Sequence, residues 1–127
     1  MNLDKTREDV GSRQDEANFL SLAETLSSLI ALIQGDKLIY VNPAGCALLG
    51  HPKELVIGRL FCEMLHPDDR EAALARAQAR LEGGPRPERL VERLVHVDGR
   101  TIWMDFSLDL IQFQGRPTTL VTGYDVT

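Results

Sequence analysis

The feature that most constrains the fold is the stretch 101–110, in which apolar and polar side chains alternate without interruption. Successive side chains of a β-strand point to opposite faces, so this pattern is typical of a strand with one face on a core. Asp98-Gly99, just before it, is a strong signal for a tight hairpin turn. We therefore predict a long strand that pairs with the segment preceding the turn. Its apolar face comprises Ile102, Met104, Phe106, Leu108 and Leu110.

Four further strands are predicted on similar grounds. Residues 88–97 precede this turn, and residues 118–126 follow a second turn that contains a glycine. Two shorter apolar runs, 29–33 and 38–41, flank a polar tetrapeptide whose glycine permits the positive φ of a hairpin. The five strands are expected to form one antiparallel sheet with helices on one face, which is an α+β domain.

Two helices are predicted in the first half of the chain. Apolar residues recur at helical spacing within about 13–28, so this helix is amphipathic and must pack on the sheet or on a second copy of the chain. Asn42-Pro43 is a typical helix start, with asparagine as N-cap and proline at the first helical position. The short helix that follows ends at Gly50.

The motif His66-Pro67-Asp68-Asp69 invites an acid–base or metal interpretation. Proline and carboxylates in the first turn are, however, also what the start of a helix favours. We interpret the motif as the start of a longer, alanine-rich helix. Cys62 lies four residues before His66, but zinc requires four ligands and the sequence brings no others nearby, so no metal site is predicted.

The length and charge of the chain limit its organisation and its partners. With 127 residues it is one domain, which we place at 17–127 after a lead or linker over 1–16. A net charge of −5 argues against generic binding to nucleic-acid phosphates, and no stretch approaches the ~18 apolar residues of a membrane span. Two cysteines cannot build a disulfide framework, so a reducing cytoplasm is the expected location.

Six short motifs follow one another at specific spacings. They are Leu38-Ile39-Tyr40-Val41-Asn42-Pro43-Ala44, Leu48-Leu49-Gly50-His51, Glu54-Leu55 with Gly58, Leu65-His66-Pro67-Asp68-Asp69-Arg70, Val97-Asp98-Gly99-Arg100 with Trp103, and Asp125-Val126-Thr127. Each motif is weak alone, but together their order and spacing resemble those of a PAS domain over about residues 17–127.

The resemblance implies a five-stranded antiparallel sheet with strand order 2-1-5-4-3, short helices on one face and a flanking N-terminal helix. It also implies a sensory module of a signal-transduction protein, such as a histidine kinase of a two-component system. Such modules pass their signal to a downstream effector domain, here through Asp125 and Thr127. Two functions stay open: sensing of a small apolar ligand in an internal pocket, or a ligand-free module that dimerises or binds another protein.

The candidate pocket is lined by apolar residues of the sheet and the short helices, although a solid core remains the alternative because packed interiors are the rule. These candidates are Leu38, Tyr40, Leu49, Leu55, Leu60, Met64, Leu65, Leu74, Met104, Phe106 and Leu108. A homodimer or cap interface is expected at Phe19, Leu22, Leu26 and Trp103. Trp103 lies opposite the apolar stripe of its strand, and we expect residues 19–30 or a partner to cover it.

Cofactors and catalysis are not indicated. Light-sensing relatives place an asparagine before a reactive cysteine, and this asparagine is missing from Gly58-Arg59-Leu60-Phe61-Cys62-Glu63. Haem-binding relatives take an axial histidine from the longer helix, whereas residues 70–82 contain none. Flavin and haem are therefore disfavoured. The sequence also has no nucleophile elbow and no phosphate-binding loop, so we do not expect the domain to be an enzyme.

Overall fold

The structure is a computed structural model that describes residues 9–10, 13–83 and 88–127. Of the lead expected over residues 1–16, residues 1–8 and 11–12 lie outside the described residues. The elements in chain order are β1 (Asp9–Val10), α1 (Arg13–Thr25), β2 (Leu29–Gln34), β3 (Lys37–Val41), α2 (Pro43–Leu49), 3₁₀ turns at Lys53–Leu55 and Phe61–Met64, α3 (Pro67–Leu81), β4 (Glu88–Val95), β5 (Thr101–Phe113) and β6 (Arg116–Asp125).

The strands form one sheet whose main path is β3-β2-β6-β5-β4, with every neighbouring pair antiparallel. Numbered from β2 onward, these five strands have the order 2-1-5-4-3, so the predicted topology is confirmed. The longest strand, β5, pairs with β6 from Met104 to its last residue and with β4 along its first eight residues.

One short strand was not predicted. Asp9 and Val10 form β1, which pairs in parallel with Gln112 and Phe113 of β5. This pairing occupies the edge of β5 beyond the end of β4. A strand of two residues is too short to show the alternation on which strand prediction depends.

The core lies between the inner face of the sheet and the helices α2 and α3. Phe106, Met104 and Val121 are fully buried on that face. Gly123 of β6 pairs with Phe106 of β5, and a Cβ at this glycine would lie only 2.8 Å from Cδ1 of the phenylalanine ring. The absence of a side chain at position 123 therefore leaves room for the ring of Phe106 to approach the backbone of β6.

Helix α1 crosses the opposite, outer face of the sheet. At its start, the ring of Phe19 packs edge-on against Phe113, with 6.2 Å between the ring centroids. Near its end, Glu24 accepts a hydrogen bond of 2.5 Å from the hydroxyl of Tyr40 on β3. Leu32, which faces outward on β2 between these two contacts, is fully buried. The predicted amphipathic helix thus covers one half of the outer face.

Asn42 fastens α1 to the sheet and to α2. Its Oδ1 accepts hydrogen bonds from the backbone N–H of Gly45 (3.0 Å) and of Ile30 (2.9 Å). Its Nδ2 donates to the carbonyl oxygens of Ala23 (2.9 Å) and Ser28 (2.8 Å). The predicted N-cap is confirmed, and the same side chain also satisfies backbone groups at the end of α1 and the start of β2.

Candidate ligand cavity

A cavity of about 290 Å³ lies between α3 and the inner face of the sheet. We call it the α3 cavity. Its apolar wall comprises Leu60, Phe61, Leu74, Leu90, Leu108 and Leu110. Leu74 and Leu110 are also partly exposed to solvent, so the cavity opens to the surface beside them. A concave, largely apolar space of this kind is the usual form of a small-molecule site.

The segment 58–61, which leads into the second 3₁₀ turn, forms another wall of the cavity with its last two residues. Leu38 donates its backbone N–H to the carbonyl of Arg59 at 2.8 Å, and Gly58 donates to the carbonyl of Leu38 at 2.7 Å. These bonds hold the segment beside β3, and the 3₁₀ turn that follows brings the ring of Phe61 edge-on to Phe106, with 5.6 Å between centroids. Phe61 therefore stands between the packed core and the cavity.

Helix α3 starts as predicted, with Pro67 in its first turn and His66 as N-cap. Nδ1 of His66 accepts a hydrogen bond of 3.1 Å from the backbone N–H of Asp68. The backbone N–H of His66 also donates to the carbonyl of Arg93 on β4 at 2.8 Å. These contacts account for the His-Pro-Asp-Asp motif as a structural element. Among the described residues, no group of three histidine, cysteine or carboxylate side chains is placed to hold a metal ion.

The structure distributes the sequence-predicted pocket residues over three environments. Three of them line the cavity: Leu60, Leu74 and Leu108. Six belong to the packed core instead: Leu38, Leu49, Met64, Leu65, Met104 and Phe106. Two lie elsewhere: Leu55 is exposed, and Tyr40 is half-buried beside Glu24 on the other side of the sheet. Burial and the Glu24 carboxylate raise the pKa of Tyr40 above its ordinary value.

Sequence reasoning missed the polar part of the cavity wall. Arg76 and Arg80 lie four residues apart on α3, and therefore share one face of the helix. Arg76 forms an ion pair with Glu92, and Arg80 pairs with Glu88 at 2.9 Å. The sequence feature that could have indicated these pairs is the alternation of β4, which places both glutamates on the same face as Leu90 and Leu94.

These ion pairs are substantially removed from water. The side chain of Glu92 is 8% exposed and that of Arg76 is 30% exposed. Burial lowers the pKa of the Arg76 guanidinium, and the nearby charge of Arg80 acts in the same direction. Charged groups in such a place lose hydration that their mutual attraction only partly restores. The cavity thus combines an apolar wall with a row of desolvated charges.

A third ion pair connects α3 to the edge of the sheet. Arg93 of β4 donates to Asp69 from its backbone N (2.9 Å), Nε (3.1 Å) and Nη2 (2.7 Å). The guanidinium group holds the pKa of the Asp69 carboxyl below its ordinary value. The bond is bidentate and reinforced from the backbone, which makes it stronger and more directional than a typical surface pair.

Arg93 also reaches the outer face, where its guanidinium lies 5.0 Å from the centroid of the Trp103 ring. The backbone N–H of Trp103 donates to Oγ1 of Thr127 at 2.9 Å, and its carbonyl accepts from Val126 at 2.8 Å. Asp125 accepts from the backbone N–H of Thr127 at 2.9 Å. The predicted signal junction is therefore hydrogen-bonded directly to the strand that carries the tryptophan.

The candidate interface residues do not form one covered surface. The Trp103 ring is 43% exposed and packs against Arg93, rather than beneath α1 as expected. The reason is that α1 crosses the other half of the outer face, where Phe19 meets Phe113. Leu22 is 62% exposed and Leu26 is 42% exposed, so both point away from the sheet.

The architecture defines a small α+β domain with a five-stranded sheet, helices over its inner face and a cavity beneath one helix. The family profile described as PAS fold matches residues 38–122, which is more than half of the chain. The chain therefore belongs to the PAS family, and it is a PAS sensory domain resembling those of sensor kinases and oxygen sensors.

Individual relatives agree with this assignment. The oxygen sensor protein DosP of Escherichia coli (strain K12) is 28% identical over 116 residues, covering 85% of this chain and 14% of that protein. The present chain thus corresponds to a small part of the length of that relative. Among solved structures, the PAS domain of an HTR-like protein from Haloarcula marismortui matches with a TM-score of 0.72 and 24% identity, over 91% of this chain and 100% of that chain. A PAS domain from a two-component sensor histidine kinase matches with a TM-score of 0.71 and 17% identity, over 90% and 99% of the two chains.

No helix in the described ranges is both long and apolar enough to cross a membrane.

Proposed function

We propose that this PAS domain senses a small molecule in the α3 cavity and regulates an effector domain of a longer signal-transduction protein. The effector class we favour is a histidine kinase or a similar multidomain regulator. The observation that carries the proposal is the cavity itself, about 290 Å³ of space with apolar walls in a domain small enough to pack solidly. We further propose that the domain works in the cytoplasm, in keeping with its two free cysteines, Cys46 and Cys62.

The contacts around β4 supply a route from the cavity to the junction. Asp69 lies in the first turn of α3, whose later turns form the cavity wall. Arg93 binds this carboxylate and packs on Trp103, which in turn is hydrogen-bonded to Thr127. A ligand that shifts α3 relative to the sheet would change this series of contacts. Regulation requires only that the ligand bind two arrangements of α3 with different affinity.

Trp103 is the single tryptophan of the chain, so its fluorescence reports directly on this route. The experiment screens small molecules by thermal shift and by tryptophan emission on the same samples. A molecule that binds in the cavity is expected to raise the melting temperature and also to change the emission of Trp103. If no molecule stabilises the protein and a crystal structure shows a closed interior without the cavity, the proposal is wrong.

The Asp69→Asn variant tests the route separately from binding. It removes the charge that holds Arg93, while the cavity wall keeps its residues. Ligands are expected to stabilise this variant as they do the original protein, whereas the emission change should fall by at least half. Asp109→Asn is the control, because Asp109 is an exposed aspartate on β5, six residues along the strand from Trp103. An unchanged emission response in Asp69→Asn would contradict the route.

A second function, homodimerisation or binding of another protein, is favoured by the uncovered apolar side chains. On the outer face these are Trp103, Val91 and Tyr124; Leu22 lies on α1 and Leu26 directly after it. Because these residues are solvent-exposed in the single chain, a second copy could bury them around a two-fold axis. Light scattering on the original protein and on Trp103→Ala/Leu22→Asp tests this function. A dimer that dissociates in the variant supports it, and a monomer in both contradicts it.

A further inference from the structure

The charged side chains on one wall of the α3 cavity, Arg76, Arg80 and Glu92, indicate the chemistry of the ligand. We propose that the cavity takes a small carboxylic acid with an apolar body, whose carboxylate lies against Arg76 and Arg80. This inference rests on the proposed sensory function and specifies the ligand class of the same site.

The two guanidinium groups are placed to bind a ligand together. Arg76 and Arg80 lie one turn apart on the face of α3 that borders the cavity. Within the described part of the chain, each guanidinium donates one hydrogen bond to a glutamate. A guanidinium carries five N–H donors, so most donors of this pair are left for another acceptor. A planar carboxylate is the acceptor that matches their geometry.

A ligand in the cavity does not meet all of these charges equally. Arg76 and Arg80 both line the cavity, whereas of their two partners only Glu92 does, and its side chain is the least exposed of the four, at 8%. Asp36 adds a carboxylate elsewhere in the lining, so the positive groups are concentrated on α3. A ligand carboxylate between Arg76 and Arg80 would also reduce the repulsion between two like charges in a poorly hydrated place.

Placing these two ion pairs beside the cavity costs free energy of hydration. Replacing a buried ion pair by well-packed apolar residues often leaves a protein as stable or makes it more stable. Two Arg–Glu pairs among Leu74, Leu90 and Leu108 are thus poorly explained by stability alone. Recognition of a charged group is an explanation that accounts for both pairs and for the empty space beside them.

The volume sets the size of the ligand. A dry cavity of about 150 Å³ holds benzene, so 290 Å³ corresponds to about ten to twelve non-hydrogen atoms. Leu60, Phe61 and Leu90 would contact the apolar body. A straight-chain acid such as octanoate and an aryl acid such as 3-phenylpropanoate both have this size and both carry the required end group.

The experiment compares octanoate and 3-phenylpropanoate with octanamide and octylamine, which keep the body of octanoate and change its charge. Binding to the full chain is measured by calorimetry and thermal shift. At least one of the two acids is expected to bind, and octanoate at least tenfold more tightly than octanamide or octylamine. Equal affinity for octanoate and octanamide, or tighter binding of octylamine, would overturn the inference.

Variants test whether the carboxylate of the ligand binds to the arginines. Arg76→Met/Glu92→Met removes one pair together, so that no unpaired charge is left inside. Affinity for octanoate should fall about tenfold, while affinity for octanamide should stay within twofold. The matched control is Arg89→Gln/Asp105→Asn, which removes an Arg–Asp pair of 2.8 Å on the outer face and should change neither affinity.

A cavity-filling variant tests whether binding is internal. Ala77 lies in the wall of the cavity, and Ala77→Phe would fill part of it. Loss of octanoate binding in a variant that still melts cooperatively supports the inference, and retained binding contradicts it. If neither acid binds but an uncharged apolar molecule occupies the cavity, the carboxylate inference fails while the sensory function stands. If nothing binds and the cavity is absent from a crystal structure, the sensory function itself fails.

Discussion

Asn42 allows the most quantitative prediction, because a single side chain bonds five backbone groups. In Asn42→Ala, the N–H groups of Ile30 and Gly45 lose this partner. The carbonyls of Ser28 and Leu26 lose it as well, whereas the Ala23 carbonyl keeps a bond of 3.3 Å from the N–H of Leu26. Loss of the N-cap alone costs about 1 kcal/mol. Each further buried group left without a partner costs about 1–3 kcal/mol.

The expected total follows from how deeply each group lies. Ile30 is buried, so its N–H cannot be rehydrated without local opening, whereas Ser28 is half-buried and water can replace its bond. With the Ala23 carbonyl still bonded, we expect Asn42→Ala to lower the free energy of unfolding by about 2–4 kcal/mol. For a chain of this length that corresponds to a fall of roughly 8–16 °C in Tm.

Urea unfolding followed by far-UV circular dichroism measures this loss. Asn18→Ala is the matched control, because Asn18 is exposed on α1 and should cost less than about 0.5 kcal/mol. Asn42→Asp can keep the two acceptor contacts but loses all three donor contacts, so it should also be destabilised. A loss near 1 kcal/mol in Asn42→Ala would equal that of an ordinary N-cap and would refute the view that this side chain holds three elements together.

Three further predictions test packing and titration. Gly123→Ala should destabilise the protein by about 1–3 kcal/mol in urea unfolding, because the new Cβ would lie 2.8 Å from the ring of Phe106; a neutral effect would mean that this ring moves freely. The folded-state pKa of Asp69 is lowered by Arg93, so its contribution to stability is complete above the unfolded carboxyl pKa and disappears as the pH falls through the lower folded value. Melting temperature against pH should therefore fall less steeply on the acid side in Asp69→Asn, and parallel profiles would contradict this assignment. The pKa of Tyr40 is raised mainly by burial and then by Glu24, so absorbance titration should show a tyrosine that ionises above its ordinary range. This ionisation should disappear in Tyr40→Phe, and its pKa should return only partly to the ordinary value in Glu24→Gln. A complete return in Glu24→Gln would show that burial is not the main cause.

Patterns among residues close together in the sequence predicted most of the secondary structure. The alternation over 101–110, the Asp98-Gly99 turn and the Asn42-Pro43 helix start each depend on neighbours within a few residues, and the structure confirms all three. The strand order required more than local rules, and it came from the resemblance of the ordered motifs to a family. The strand β1 escaped both kinds of reasoning, because two residues show no period.

The cavity could be predicted only in part. Hydrophobicity identified residues of the interior, but it does not distinguish a side chain that borders a space from one that packs solidly. Leu108 and Phe106 lie two residues apart on the same face of β5 and both belong to the core, yet only Leu108 also lines the cavity. The difference depends on how far α3 stands from each part of the sheet.

The sequence by itself determined which segments are strands and helices, which face of β5 is apolar, and where α2 and α3 begin, because these properties follow from spacing along the chain. Only the tertiary structure decided that Arg76 meets Glu92, that Arg93 joins Asp69 to Trp103, and that α1 leaves Trp103 uncovered. The first two contacts join residues 16 and 24 positions apart in the chain, and they form only when α3 has packed on the sheet. The same holds for Gln34, whose amide reaches Thr118 on the neighbouring strand, 84 positions away.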